Sequence, residues 1–394
     1  MALEPQLLRD RLTMACAWIT DIAQVKHEEC LPGETRKHAH RSWTGAIRGE
    51  YQVSTRQWGY FCPVWHTGQA VKALVMASDV LGDRVLAGAV AGGDFILGNA
   101  VRDGEDAGLI LAYEDDLERV NTSAILETLD GLFILSEKTG RAEYRAAALA
   151  ALDWVARKAY MPGEGLFRDC YDPGTHGLVP ARYGTVGRPL LDDAVFLKGY
   201  RLSGDERFRT IALETAERLL KDEDPPGNWV AYAPCDKASG AIHPRHAYWW
   251  GRPMLDLFRE TGDERWRAAF ERSVSWYVRA LRRDGGLFRS TYTDFTTDSF
   301  GHATSGVGGA AIMFQDFLAL TGDREMEPHL ERALAFCMRA QFTKPADPNL
   351  QGCILEKVRW PDGTDASPYY IRDLGTIFFV QAAATWLRTG EKKL

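Results

Sequence analysis

The chain has 394 residues, 45% of them hydrophobic, 26% charged and 11% aromatic, which is enough apolar material for a large core and excludes a disordered or fibrous protein. Its 47 Lys and Arg against 54 Asp and Glu leave a net charge of −7, which argues against a nucleic acid or an anionic membrane surface as main partner. Seven scattered cysteines without a CxxC pair fit a reducing compartment better than a disulfide framework or a zinc site, and the twelve tryptophans are the unusual entry in the composition.

The first predicted element, a helix over about 4 to 24, carries Arg9, Asp10, Arg11 and Asp21 within its apolar pattern, so it reads as a surface helix and not a signal peptide. No run of eighteen apolar residues follows anywhere, and a cytoplasmic location is expected. From there a short turn recurs along the chain: VLGDRV at Gly82, KTGRAEY at Gly140, LSGDERF at Gly204, ETGDERW at Gly262, LTGDREM at Gly322 and RTGEKK at Gly390, at intervals of 58 to 68 residues. Each glycine suits a left-handed helix cap, and the acid after most of them suits the start of the next helix. Helices after the turns are one-sided, as in Phe208, Ile211, Ala212, Thr215, Ala216, Leu219 and Leu220. Those before the turns, such as ATSGVGGAAIMFQDFLA and TIFFVQAAATWL, are apolar all round and hence buried on all sides. A lone surface helix at the start and a lone buried helix (about 373 to 388) at the end complete a sixth pair. The prediction is an all-α ring of six helical hairpins in one domain, 1–394.

Links from buried to surface helix are short, whereas the returns are long: roughly 25 to 64, 102 to 120, 160 to 190, 223 to 244, 285 to 302 and 343 to 372. All emerge on one face, which becomes the place to look for function. Short strands are expected there at 165 to 169 and 286 to 290. Five tryptophans (18, 154, 266, 276 and 386) fall within helices and should pack; the other seven fall on the open face.

The buried helices begin with unusually polar residues: Trp65-His66-Thr67, Asn121-Thr122, Asp192-Asp193, Arg245-His246 with Trp249-Trp250, His302 with Thr304, and Arg372-Asp373. Capping accounts equally well for Asn121, Asp192 and Asp373, but it does not call for His or Arg. Adjacent helical residues point about 100° apart, so one of Asp192 and Asp193 should face the cavity. Glu114, Asp115 and Asp116 form a second acidic cluster, and carboxylates in clusters cannot all ionise cheaply, as a general acid requires. Arg182, Arg188, Arg245 and Arg372 could fork a carboxylate or pair with these acids. Trp58, Trp65, Trp249, Tyr369 and Tyr370 are among the aromatics that could stack on a sugar ring. GVGGAA lacks a preceding strand and reads as helix packing. His38/His40 and His243/His246 lack HExxH or cysteine company, so no metal or cofactor is expected, and there is no GxSxG elbow.

The turn pattern over the full chain, together with CPVWHTGQAVKALVMA (62 to 77) and RPLLDDAVFLKGYRLSGDERF (188 to 208), resembles the six-hairpin glycosidase superfamily of (α/α)6 toroids. Within it the character is similar to uronic-acid enzymes: unsaturated glucuronyl and rhamnogalacturonyl hydrolases, and β-glucuronidases of glycoside hydrolase family 154. The resemblance implies an exo-acting hydrolase that removes a terminal uronic acid, glucuronic in the first instance, from an oligosaccharide. The aspartate with which unsaturated-uronyl hydrolases begin an inner helix is Asn121 here, so Asp193 is taken in its place, with Asp192, Glu114 or Asp115 as the second acid. His66, Trp65, Arg188, Arg245, Trp249, Tyr369, Tyr370, Arg372, Asp373 and Trp58 are taken as substrate contacts. A lyase or a sugar 2-epimerase on the same ring would instead use His66, His246 or His302, and a binding module without catalysis is a fourth reading. A homo-oligomer stays open.

Overall fold

A computed structural model describes residues 3–114, 118–180, 187–298, 302–356 and 370–391. Twelve α-helices alternate between two rings. The outer ring holds α1 (Pro5–Ala17), α3 (Asp83–Gly98), α5 (Ala142–Lys158), α7 (Glu206–Lys221), α9 (Glu264–Ala280) and α11 (Glu327–Arg339). The inner ring holds α2 (Pro63–Leu81), α4 (Thr122–Thr139), α6 (Val195–Ser203), α8 (Arg252–Thr261), α10 (Thr304–Thr321) and α12 (Leu374–Glu391). The ring closes as the lone end helices required: α12 packs against both α10 and α2, and α1 packs on α12. The architecture is therefore an (α/α)6 toroid. Among the described residues no helix is long and apolar enough to cross a membrane.

The turns behave as their sequences dictate. Gly140, Gly204, Gly262 and Gly322 cap their helices with φ near +71°, and Asp205, Asp263 and Asp323 each accept the backbone N–H two residues on. Gly82 and Gly390 differ: Gly82 ends α2 at φ +81° with ψ −172°, outside the left-handed helical region, and α12 runs through Gly390 to Glu391. On α7 the buried stripe is Phe208, Ile211, Ala212, Thr215, Ala216 and Leu219 as expected, with Leu220 half-buried. The GVGGAA glycines do admit close packing: a Cβ on Gly308 would sit 2.8 Å from the backbone carbon of Phe378 on α12.

Long returns occupy one face and form small antiparallel sheets. Residues 370–372 pair with 49–52, which pair with 57–60, and Glu50 lies opposite Arg372. The 165–169 segment forms the expected hairpin through Tyr160–Met161 and Leu166–Phe167. Over 286–290 no strand forms; there is an isolated bridge from Phe288 to His302, and the adjacent Thr291–Tyr292 pairs with Ala241–Ile242.

Candidate active site

On the loop face the inner-helix starts enclose a cavity of about 360 Å³. Four carboxyl groups border it, on Glu114, Glu127, Asp192 and Glu356, together with the guanidinium groups of Arg188, Arg245, Arg289 and Arg372. Phe61, Trp65, Trp249, Trp250 and His243 supply ring surfaces.

Asp192 reaches the cavity because the backbone breaks directly behind it. Residues 192–194 form a single 3-10 turn in which Asp193 and Ala194 both take φ near +50°, a left-handed pair that costs roughly 1–2 kcal/mol per residue without glycine. The break sends the two aspartates apart. Asp192 lines the cavity, with Oδ2 lacking a hydrogen-bond partner among the described residues. Asp193 turns onto the toroid axis, where it meets Lys72 Nζ at 2.5 Å, Gln69 Nε2 at 3.4 Å and an Arg252 guanidinium nitrogen at 3.8 Å. The sequence reading favoured Asp193 as the acid; the structure places it in a buried ion network and gives the cavity position to its neighbour. Neither aspartate caps the helix.

Glu127 lies on α4 within the second turn, below the Asn121 side chain, which does cap, accepting the Ala124 N–H at 3.2 Å. Its Oε2 is also unpartnered among the described residues. Burial pushes the Glu127 carboxyl well above the usual carboxylate range, and the nearby Asp192 charge pushes it further. Burial likewise raises Asp192, to about 7, against the opposing pull of Arg188. These two acids hold protons at pH values where ordinary carboxyls have lost them.

The arginines divide by how completely they are tied down. Arg188 is pinned by backbone pairing with Phe167 and by side-chain bonds to Asp169 (2.6 and 2.8 Å), Ser123 (2.9 Å) and the Ala233 carbonyl (3.2 Å). It acts as a fixed positive charge beside Asp192. Arg245 is different: its guanidinium lies 5.7 Å from the Trp65 ring centre and 4.8 Å from that of Trp249, bonds Ser305 Oγ at 3.0 Å, and keeps a buried Nε without a partner among the described residues. Glu356 steadies this arrangement by accepting the Ser305 N–H (2.8 Å) and Oγ–H (2.6 Å), with its Oε1 3.8 Å from Arg245. Arg372 packs over Phe61 at 3.7 Å, touches Glu50 at 3.4 Å, and also keeps a buried Nε without a partner among the described residues. The indole N–H groups of Trp65 and Trp249 are buried and likewise lack a partner among the described residues. Donors without acceptors, converging on one cavity, fit an oxygen-rich ligand.

Of the residues singled out from sequence, the structure brings together Trp65, Glu114, Arg188, Asp192, Arg245, Trp249 and Arg372. It keeps others back from the cavity. His66 is fully buried with Nδ1 2.6 Å from Asp373 Oδ1. His246 lies behind the lining against Trp250, its Nδ1 3.1 Å from Cys235 Sγ, and burial drives its pKa down to about 3. His302 sits edge-on to Phe336, with Nε2 3.4 Å from the Leu355 carbonyl. Trp58 packs on Tyr51 and Trp18 under Arg48. Asp115 and Tyr369 lie outside the described residues, as do Asp116, Arg182, Tyr183 and Trp360, and Tyr370 is described only as a strand position facing Gln52. Among the open-face tryptophans, Trp65, Trp249 and Trp250 border the cavity, while Trp43 packs on Tyr60 and Trp229 on Trp250. Glu127 and Glu356 were missed. The available signal for Glu127 was an acid inside a helix otherwise buried all round; Glu356, in a loop, carried none.

No family model and no curated protein matches the chain. Solved structures do. A cellobiose 2-epimerase from Spirochaeta thermophila superposes with a TM-score of 0.68 at 13% identity, covering 99% of this chain and 100% of the other. An unsaturated glucuronyl hydrolase specific for heparin gives 0.71 at 12% identity over 99% of each chain. A D-mannose isomerase gives 0.67 at 11%, over 98% and 97%. At such identities the likeness shows the shared six-hairpin toroid.

Proposed function

We propose that this six-hairpin toroid is an exo-acting glycoside hydrolase that removes a terminal uronic acid from an oligosaccharide, glucuronic acid being the first candidate. The observation that carries the reading is the pairing, on one cavity, of two carboxyls raised by burial with two arginines that each keep a buried Nε without an acceptor among the described residues. Glu127, whose carboxyl burial and the Asp192 charge hold well above the usual range, is the proton donor to the leaving oxygen; Asp192, once ionised, is the base or nucleophile that Arg188 stabilises. Arg245 and Arg372 take the uronate carboxylate, which needs charge-assisted donors. Trp65 and Trp249 border the ring and offer indole N–H groups to its hydroxyls. A cavity at the small end of the ligand-pocket range fits a terminal residue better than a chain passing through. Neighbouring toroids that act on glucuronyl groups support this choice, and those that epimerise or isomerise sugars keep a second reading in view.

The test is incubation with saturated glucuronide oligosaccharides. A hydrolase releases free uronic acid without new ultraviolet absorbance. A lyase product absorbs through its new double bond, and an isomerase leaves chain length unchanged; either result defeats the proposal. Of the histidines considered from sequence as lyase or epimerase bases, His66, His246 and His302 all stand back from the cavity, whereas His243 borders it and is the base that the second reading would use.

A further inference from the structure

A second cavity opens at the opposite end of the toroid, among the C-terminal ends of α2, α4, α6 and α12, with a volume of about 780 Å³. A belt of ion pairs links the inner helices there. Lys72 on α2 contacts Asp130 on α4 and Asp193 before α6; Lys198 on α6 also holds Asp130; Arg252 on α8 bonds Asp316 on α10 at 2.8 Å. The belt floors the second cavity through Lys72, Asp130, Lys198 and Arg252.

One wall of this cavity is apolar, formed by Met76, Phe133, Ile134 and Leu202. Leu202 is 46% exposed, one of three large apolar side chains that face solvent in the described residues. The rim carries Arg145, Arg201 and Arg388, with Glu137 as its acid. Arg201 is paired with Glu260 at 2.8 Å and Arg388 reaches Asp79 at 3.5 Å. Arg145 has no ion-pair partner among the described residues. Basic side chains in the last turn of a helix complement its dipole, but that accounts neither for Arg145, which lies in the first turns of outer helix α5, nor for an open apolar wall beside the cations.

We propose that the turn-face cavity is a second ligand site, built for a small organic anion whose compact oxyanion head meets Arg145 and Arg201 and whose apolar body lies along Phe133, Ile134 and Leu202. Cavities of this volume match organic ligands of modest size, and an apolar wall with cations on the rim selects an amphipathic anion over either an uncharged lipid or a bare ion. The site stands independently of the reaction in the other cavity.

Equilibrium dialysis of the intact protein tests it, with octanoate as the probe, 1-octanol as the same body without charge, and inorganic phosphate as charge without body. Octanoate should bind once per chain, with the other two weaker by about tenfold or more, the scale of one charge-assisted hydrogen bond. Arg145→Ala and Leu202→Glu, both at exposed positions that leave the core intact, should each weaken octanoate by a similar factor. Saturating glucuronic acid should leave octanoate binding unchanged. Absence of saturable octanoate binding, insensitivity to both substitutions, displacement by glucuronic acid, or phosphate binding as tight as octanoate would each overturn the assignment.

Discussion

Substituting Asp192→Asn should make the protein more stable and much less active at the same time. Burial raises the Asp192 carboxyl from 3.8 to about 7 in the folded protein, whereas in the unfolded chain it titrates at its ordinary value. Below about pH 4 the group is protonated in both states and contributes no difference. As pH rises from there, the unfolded chain gives up the proton and the folded protein keeps it, so folding stability falls by about 1.4 kcal/mol per pH unit until the folded group also ionises near pH 7. The accumulated loss is about 4 kcal/mol by pH 8. Asparagine stands in for the protonated acid at every pH and escapes this loss. Because the Asp192 charge also raises Glu127, its removal eases ionisation of Glu127, which adds in the same direction. Urea unfolding at pH 4 and pH 8 supplies the comparison: wild type should lose a few kcal/mol more between the two than the variant. Activity should fall by about 10² to 10⁴ in kcat/KM, the range for a positioned acid or base. Parallel stability profiles for the two proteins would refute the burial argument.

Other outcomes follow from the same geometry. The acid limb of the kcat/KM profile on a glucuronide should have its midpoint near pH 7, since Asp192 must be ionised and its folded value is about 7; a limb near 4 would exclude Asp192 from the role. Asp193→Asn should retain turnover but cost about 3 kcal/mol of stability, the scale of breaking a buried ion pair with Lys72, and should move the acid limb to lower pH, because the Asp193 charge helps hold Asp192 up. Loss of turnover in a folded Asp193→Asn protein would return the catalytic role to Asp193. Arg245→Lys removes the planar fork between Trp65 and Trp249 and should raise KM for 4-nitrophenyl glucuronide by about 10- to 100-fold, leaving any activity on the matching glucoside unchanged; equal effects on both substrates would deny a carboxylate contact.

The ring was legible in the sequence because its signals are local and repeated. A glycine that must adopt positive φ, an acid that caps the next helix and a helix with or without a polar face can each be read within about twenty residues, and six copies at near-constant spacing leave little freedom. Polarity of the toroid followed from loop length alone. The site was only half legible. Of the residues that the sequence singled out near inner-helix starts, Trp65, Arg188, Asp192, Arg245, Trp249 and Arg372 border one cavity. What sequence position could not reveal was depth. Glu127 lies a turn below its helix start, while His66, His246 and His302 lie at theirs yet turn into protein. Burial of each depends on return loops from other hairpins, which no local pattern encodes. Glu356 shows the same limit from the loop side, since its partner Ser305 is 51 residues away.

The choice between Asp192 and Asp193 shows how backbone conformation decides chemistry that composition leaves open. In a regular helix start the two side chains would diverge by about 100°, which by itself leaves open which of them faces the cavity. Here the left-handed pair Asp193-Ala194 leaves Asp193 bonded to Lys72 and Asp192 lining the cavity beside the positive charge of Arg188. Ala194→Gly tests whether this conformation positions the catalytic group. Glycine removes a left-handed penalty of about 1 kcal/mol or more, but it also adds about 0.4–1 kcal/mol of unfolded-chain entropy, so stability should stay within about 1 kcal/mol of wild type. Glycine also opens backbone conformations that a Cβ forbids, so Asp192 samples orientations away from the substrate. kcat should then drop by about tenfold with KM unchanged, as misplacement of a reacting group costs rate and not binding. A variant of unchanged stability and unchanged kcat would show that the kink serves only the Asp193 ion pair.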